Sequence, residues 1–102
     1  MTTKATVATE RAISFLNAKN ALYEARASRV ARCVKAYGEE PYRYISGSGQ
    51  EHWPASERDI LRKLARAQSR AVDASYRAWM AGGRRRSAWL SLRDAMGCST
   101  MY

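Results

Sequence analysis

Residues 56–83 read SERDILRKLARAQSRAVDASYRAWMAGG, and this stretch decides the fold. Its apolar and small side chains recur every three or four residues, which is the period of an amphipathic α-helix. The stripe consists of Ile60, Leu61, Leu64, Gln68, Ala71, Val72, Ser75 and Trp79. Ser56 followed by Asp59 resembles a capping box, and Gly82 with Gly83 ends the pattern. The stretch therefore predicts a helix that is capped by Ser56 and stops at Gly82.

A longer helix is predicted upstream, from about residue 6 to Tyr37, because no Gly or Pro interrupts this segment. Its apolar stripe consists of Ile13, Leu16, Tyr23, Ala27, Val30, Val34 and Tyr37. Phe15, Leu22 and Cys33 lie beside that stripe and widen the apolar face, so we expect the helix to pack against more than one neighbour. Gly38 supplies the left-handed position that ends it.

The remaining segments predict a loop and a short helix. Glycines and prolines punctuate residues 38–55, and the hydrophobic residues there show no sustained period, which indicates a long loop. A third helix is predicted from the spacing of Ala88, Trp89, Leu92, Ala95 and Met96, with Gly97 as its end. Trp79 and Trp89 lie on inner stripes and are expected in the core. Residues 98–102 are expected to fray.

These elements predict an all-α protein with a single helical domain over residues 1–102. The expected architecture is a small bundle of two long antiparallel helices plus a short C-terminal helix, with a long loop between the first two. A homodimer that completes the wide apolar face of the first helix stays an open alternative.

Composition indicates a soluble, cytoplasmic protein. The apolar runs are short, and no charged start leads into an apolar stretch, so neither a signal peptide nor a membrane span is predicted. Cys33 and Cys98 are expected to be reduced thiols in that compartment.

The charge balance points to a polyanionic partner. The chain has 18 Lys and Arg against 9 Asp and Glu, a net charge of +9, and fourteen of the cations are arginine. The planar guanidinium group suits bidentate phosphate contacts and stacking on bases. A GC-rich genome, which favours arginine codons, is the alternative explanation.

Six cations share the face of the second predicted helix that lies opposite its apolar stripe. They are Arg58, Arg62, Lys63, Arg66, Arg70 and Arg77, and we call them the basic ridge. Residues four apart rise about 6 Å along a helix, which roughly matches the spacing of successive phosphates on a strand. Asp59 and Asp73 interrupt the ridge. The alternative is a solvated helix face on which arginines pair with nearby carboxylates.

A second cationic cluster follows the two glycines, where Arg84, Arg85 and Arg86 precede the third helix. Cations at a helix N-terminus oppose the helix dipole, so local stability does not explain them. An anion held between these arginines and the free amides of the first turn would reverse the unfavourable interaction. The hypothesis is a phosphate clamp, and the alternative is a mobile basic hinge.

Aromatic residues of the predicted loop offer stacking surfaces. Tyr42, Tyr44, His52 and Trp53 lie there, and a base stacked on an aromatic ring gains about 1 to 3 kcal/mol. Aromatics beside a basic surface favour a single-stranded target. The alternative, favoured on general grounds, is that these rings pin the loop to the core.

No catalytic signature appears in the chain. There is no Gly-rich phosphate loop, no CxxC pair and no HExxH, and His52 is the only histidine. We therefore expect a protein that is not an enzyme and that carries no metal or cofactor. The long connection between the first two helices counts against a helix-turn-helix.

In its overall type, a helical chain of about a hundred residues devoted to surface contacts, the sequence resembles the small anti-CRISPR proteins of phages and mobile elements, particularly type I inhibitors. The resemblance covers the whole chain and transfers no functional residue. It implies stoichiometric blockade inside the host cell. Many such inhibitors are acidic, and this chain is basic, which implies contact with the nucleic acid of a nucleoprotein complex or with an acidic patch on an effector subunit.

The sequence thus predicts a basic nucleic-acid-binding protein, with a single-stranded target favoured and weak sequence preference. Its predicted binding residues are the basic ridge, Arg84, Arg85 and Arg86, and the loop aromatics Tyr42, Tyr44 and Trp53. The alternative is an inhibitor or scaffold that docks the same basic face on an acidic surface of a partner protein. A membrane partner is not expected.

Overall fold

The computed structural model describes residues 3–38 and 52–98. These residues form three helices, α1 (Lys4–Tyr37), α2 (Ala55–Ala81) and α3 (Arg86–Ala95), and within them no strand occurs. The two long helices pack along each other, and α3 packs on α2. The prediction of an all-α fold with two long helices and a short third one is confirmed. In the described ranges no helix has the length and apolar character needed to cross a bilayer.

Helix α1 is closed at both ends by local hydrogen bonds. Thr3 is the N-cap, and its side chain accepts a hydrogen bond of 3.1 Å from the backbone N–H of Thr6. At the other end Gly38 adopts φ 72°, and its N–H donates to the carbonyl of Val34 at 2.8 Å. A residue with a β-carbon is strained at that φ, so the predicted end at Gly38 is confirmed.

Helix α2 begins earlier than its capping residues indicated. Ser56 lies inside the helix, and Pro54 is the N-cap. The carbonyl of Pro54 accepts hydrogen bonds from the N–H groups of Glu57 and Arg58 at 3.0 and 3.1 Å. The prediction that Ser56 caps the helix was therefore wrong. Pro54 follows Trp53, which is buried, and this anchoring places the chain in position to start the helix two residues sooner.

The α1–α2 pair is antiparallel, and contacts at its two ends set its register. Ala8, near the start of α1, lies directly against Gly82, which follows α2. A β-carbon at position 82 would collide with that of Ala8, so glycine is required for this close approach. Near the other end, Arg29 of α1 donates two hydrogen bonds to Glu57 of α2, at 2.6 and 3.1 Å. Residues of the two helices that face each other therefore have numbers that sum to about 90.

Three tryptophans form the centres of two separate hydrophobic clusters. Trp79 and Trp89 pack with Ala12 and Val72, whereas Trp53 packs at the far end of the pair. Each indole N–H donates a hydrogen bond: Trp79 to the Arg85 carbonyl at 2.8 Å, Trp89 to the Ser75 hydroxyl at 3.0 Å, and Trp53 to the Gly38 carbonyl at 2.6 Å. The core positions predicted for Trp79 and Trp89 are confirmed.

The buried face of α1 differs from its predicted stripe. The buried residues are Ala8, Ala12, Leu16, Lys19 and Cys33. Tyr23 and Tyr37 are 46% and 45% exposed, and Ala27 is also exposed, so these three members of the predicted stripe were wrong. At the start of α1, Trp79 and Gly82 approach the helix closely, and this contact brings Ala8 and Ala12 to the buried face.

The C-terminal segment is anchored at Cys98, contrary to the prediction of fraying there. Cys98 is 2% exposed, and its Sγ lies 3.1 Å from Oδ1 of Asn20. The amide of Asn20 in turn donates to the carbonyl of Met96 at 3.0 Å. These contacts attach the end of α3 to α1. Both Cys98 and Cys33 are free thiols, and residues 99–102 lie outside the described part of the chain.

A half-buried ionic cluster joins the start of α2 to α1. Glu57 accepts hydrogen bonds from Arg29 and from the thiol of Cys33, whose Sγ lies 3.5 Å from Oε2. The hydrogen bond from Arg29 is the main reason that the pKa of Glu57 falls below its ordinary value. Burial, reinforced by the adjacent carboxylate, raises the pKa of the Cys33 thiol. The cluster therefore holds an ionised carboxylate against a protonated thiol.

Gln68 occupies the middle of the α1–α2 contact, between the two hydrophobic clusters. Its side chain is 0% exposed, and neither amide atom has a hydrogen-bond partner among the described residues. A buried polar atom without a partner costs about 1 to 3 kcal/mol. The centre of the α1–α2 interface therefore contributes less to stability than the two hydrophobic clusters at its ends.

Replacing Gln68 by methionine removes the polar atoms while nearly conserving volume. We expect Q68M to raise the free energy of unfolding by about 1 kcal/mol or more, because an unpaired buried amide is lost. The matched variant Q68A should lower it by about 2 kcal/mol or more, because it leaves a cavity. Urea unfolding followed by circular dichroism measures both. A Q68M protein less stable than the wild type would show that the Gln68 amide makes favourable hydrogen bonds in the folded chain.

The Arg29–Glu57 pair predicts a stability that declines in acid. The pKa of Glu57 is lower in the folded chain than its ordinary value of 4.5. The pair therefore stabilises the folded chain fully at pH values above 4.5, and this stabilisation is lost as the pH falls through the lower pKa of the folded state. The variant E57Q should therefore be less stable at neutral pH and should lose less stability on acidification. Urea unfolding at about pH 7 and about pH 3 checks this, with D73N as the control that keeps the wild-type dependence. An unchanged pH dependence in E57Q would exclude the pair as its source.

Candidate nucleic-acid interface

The outer face of α2 carries the most concentrated positive charge on the helix. Its buried face comprises Leu61, Gln68, Ala71, Val72, Ser75 and Trp79. At 100° per residue the arginines of the basic ridge other than Arg58 lie on the opposite side. These are Arg62, Arg66, Arg70 and Arg77, all exposed, and we call them the four outer arginines. Packing of the apolar stripe against α1 thus directs them to solvent.

The four outer arginines have no carboxylate partner among residues 3–38 and 52–98. The ion pairs formed there are Arg29–Glu57, Lys63–Asp59 and Arg93–Asp94, and none includes an outer arginine. Asp73 shares their face and makes none of these pairs. Within the described part of the chain, Arg70 makes a long hydrogen bond of 3.4 Å from its Nε to the carbonyl of Arg66. Their guanidinium groups therefore face solvent without an ion pair to a described carboxylate, and Asp59 acts on Arg62 and Arg66 only through longer-range electrostatic attraction.

The other two members of the basic ridge behave differently. Lys63 lies 3.1 Å from Asp59, one turn earlier, and both side chains are largely exposed. The hydrogen bond from Lys63 lowers the pKa of Asp59. Arg58 is half-buried and donates from Nε to the carbonyl of Trp53 at 3.1 Å. The charge of Lys63 is thus partly neutralised. Arg58 stabilises the start of α2, and its side chain is only partly accessible to solvent.

An open depression lies between two of the outer arginines. It has a volume of about 520 Å³ and is lined by Ala65, Arg66, Ser69 and Arg70. Two guanidinium groups one turn apart and a hydroxyl donor together provide the hydrogen bonds that a phosphate group accepts. Ser69 was not predicted from the sequence, because a single serine on a helix face is not distinctive.

The three arginines that follow α2 do not form the predicted clamp together. Arg84 is half-buried, and its guanidinium group stacks on the ring of Trp79, 4.1 Å from the centroid. It also donates a short hydrogen bond to the hydroxyl of Thr9. Arg84 therefore joins α1 to the turn after α2. The prediction that it belongs to a phosphate clamp with its two neighbours is not supported by this geometry.

Arg85 and Arg86 remain exposed at the start of α3. Arg85 is the N-cap, and its carbonyl accepts the indole N–H of Trp79 and the backbone N–H of Trp89. The first turn of α3 contains no acidic residue, and no side chain caps it. Two cations thus flank unneutralised backbone amides, close in sequence to the end of α2.

The loop aromatics give one clear result. Trp53 is 1% exposed and packs against Cys33 and Leu61, so it pins the chain to the core and presents no surface for a base. The prediction that Trp53 stacks on nucleic acid was therefore wrong, and the alternative holds for this residue. Tyr42 and Tyr44 lie outside the described residues. His52 is exposed, with its Nε2 3.0 Å from the carbonyls of Tyr37 and Gly38.

No group of three His, Cys, Asp or Glu side chains in the described ranges is arranged to hold a metal ion. The chain matches no protein-family model, and neither the curated proteins nor the solved structures give a significant match to it. Function is therefore inferred from the exposed side chains of α2 and their chemistry.

Proposed function

We infer that this chain is a small, non-enzymatic protein that binds the phosphate backbone of nucleic acid through the outer face of α2. The observation that carries this inference is the row of Arg62, Arg66, Arg70 and Arg77, exposed on one face without carboxylate partners among the described residues. Each of these groups has guanidinium nitrogens available for contacts to phosphate oxygens, although Nε of Arg70 also donates to the Arg66 carbonyl. Three further exposed cations, Lys63, Arg85 and Arg86, add to the positive charge of the surface.

The spacing of the outer arginines supports simultaneous contact with several phosphates. Arg62, Arg66 and Arg70 follow at intervals of four residues, about 6 Å along the axis each, and Arg77 lies about 10 Å further. Neutralising four phosphates releases their condensed counterions, so the logarithm of the affinity should fall with the logarithm of salt concentration. The expected slope is about −3.6 for a duplex and about −2.8 for a single strand.

The proposed contacts are to phosphates and so carry little sequence information. Because Trp53 is buried, stacking on this residue does not favour a single strand, and the proposed phosphate contacts are shared by single and double strands. A role as a phage-type inhibitor of the anti-CRISPR kind fits this proposal where the bound nucleic acid belongs to a nucleoprotein complex. The same arginines would serve the alternative, docking on an acidic protein surface.

The proposal is tested by fluorescence anisotropy with labelled oligonucleotides of about 20 nucleotides, single-stranded and duplex, across a salt series. We expect the variant R62A/R66A/R70A/R77A to bind at least tenfold more weakly and to lose most of the salt dependence. Alanine has the highest helix propensity, so these exposed substitutions should leave α2 intact.

A matched variant separates the arrangement of charge from its total. K4A/R11A/R32A/K35A removes four exposed cations from α1 and lowers the net charge equally. It should retain most of the affinity. Equal losses in the two variants would contradict a site on α2. If neither oligonucleotide binds at about 150 mM salt, the acidic protein surface becomes the better explanation.

A further inference from the structure

The α1–α2 pair has two flanks, and α3 covers one of them. On α2 the contacts to α3 come from Val72, Tyr76 and Trp79, with the rings of Tyr76 and Trp89 packed edge to face at 4.9 Å. On α1, Asn20 and Leu16 contact the end of α3 and Cys98. The third helix therefore fills the groove on this side of the pair.

The opposite flank is apolar, and no described helix covers it. At 100° per residue Phe15 and Leu22 of α1 lie on the side of the buried face away from α3. On α2 the corresponding residues are Leu64, Ala67, Ala74 and Ala78, all half-buried. Phe15 is 39% exposed and Leu22 is half-buried. The antiparallel register makes these residues continuous, and we call them the open flank.

The dimensions of the open flank suit one helix. The alanines on α2 leave a shallow groove, and Phe15 and Leu22 of α1 form its other side. Because facing residues sum to about 90, Leu64 lies opposite residue 26, and the flank extends from residue 15 to about residue 26 of α1. That length is about 17 Å, or three helical turns. A helix laid here would complete a bundle with α3 on the other side.

Charges beside the open flank select the kind of helix that fits. Arg11 is exposed on the α1 side, about one turn before Phe15, and Arg70 is exposed on the α2 side. The nearby carboxylates Glu57 and Asp59 are already paired with Arg29 and Lys63. A second copy of this chain would bring like charges together, whereas glutamates flanking an apolar stripe would be attracted.

We propose that the open flank is a docking surface for an acidic amphipathic helix of a partner protein. The partner's apolar side chains would pack over the alanines of α2 between Phe15 and Leu22, and its carboxylates would face Arg11 on one side and Arg70 on the other. This surface adjoins the phosphate-binding face and shares Arg70 with it, whereas Arg62 and Arg66 lie further around α2. The chain would thereby connect nucleic acid to a protein partner.

The test uses the full-length protein and a fluorescein-labelled peptide of about 18 residues, enough for five turns. The peptide contains leucines at helical spacing i, i+3, i+4 and i+7, with glutamates beside them and alanines elsewhere. One control peptide has the same composition with the leucines scrambled, and another has lysine in place of glutamate. We expect the acidic amphipathic peptide to bind at least tenfold more tightly than either control in fluorescence anisotropy.

Variants locate the binding surface. L22D and A74D each place a carboxylate on the open flank, and each should weaken binding of the acidic peptide at least tenfold. A21D is the matched control, because Ala21 is exposed on the outer side of α1, next to Leu22 in sequence. It should bind nearly as well as the wild type. Circular dichroism confirms that each variant is folded, and A74D provides the test if L22D unfolds.

Three outcomes would overturn the proposal. The first is equal binding of the three peptides, and the second is peptide binding that neither L22D nor A74D weakens. The third is a dimer in analytical ultracentrifugation that L22D dissociates, because a second copy would then occupy the open flank. The variant R62A/R66A/R77A should still bind the peptide, so failure of the nucleic-acid proposal would be seen separately.

Discussion

The close antiparallel contact between α1 and α2 is the constraint on which the rest of the molecule depends. It is set at one end by Gly82 against Ala8, where only glycine allows the backbones to approach, and at the other by the Arg29–Glu57 pair. Between these ends the helices meet along about six turns. Once this register is set, the helical period determines the position of every other side chain on the two helices. It decides which side chains face solvent, which contact α3 and which lie on the open flank.

Charge separation is a consequence of that contact. The apolar stripe of α2 is buried against α1, so the arginines on the far side of the same helix cannot reach the carboxylates of α1. The two carboxylates nearest in sequence act differently: Asp59 pairs with Lys63, and Asp73 makes no ion pair with the described residues. A surface of guanidinium groups without ion pairs to the described carboxylates therefore arises from packing on the opposite face, and the proposed phosphate contacts depend on it.

Arginine serves two physical purposes in this small chain. Arg84 stacks on Trp79 and hydrogen-bonds Thr9, and Arg58 donates to the Trp53 carbonyl, so both stabilise junctions between elements. Arg62 and Arg66, in the middle of α2, remain exposed. A high arginine content therefore does not translate directly into binding capacity, because a planar cation beside an aromatic ring contributes to the core as well as to the surface.

The ends of α1 and α2 and the outer face of α2 were predictable from residue order, because the hydrophobic period and the glycine stops at positions 38 and 82 act over a few residues. The start of α2 was not, since Pro54 and not Ser56 is its N-cap. The buried face of α1, the anchoring of Trp53 and the inward turn of Arg84 were not. Each of these depends on which distant element lies opposite: the alanines of α1 are buried because Trp79 and Gly82 approach them. The local sequence pattern specifies which faces of a helix are apolar and which are polar. The packing of one helix on another decides which apolar face is buried.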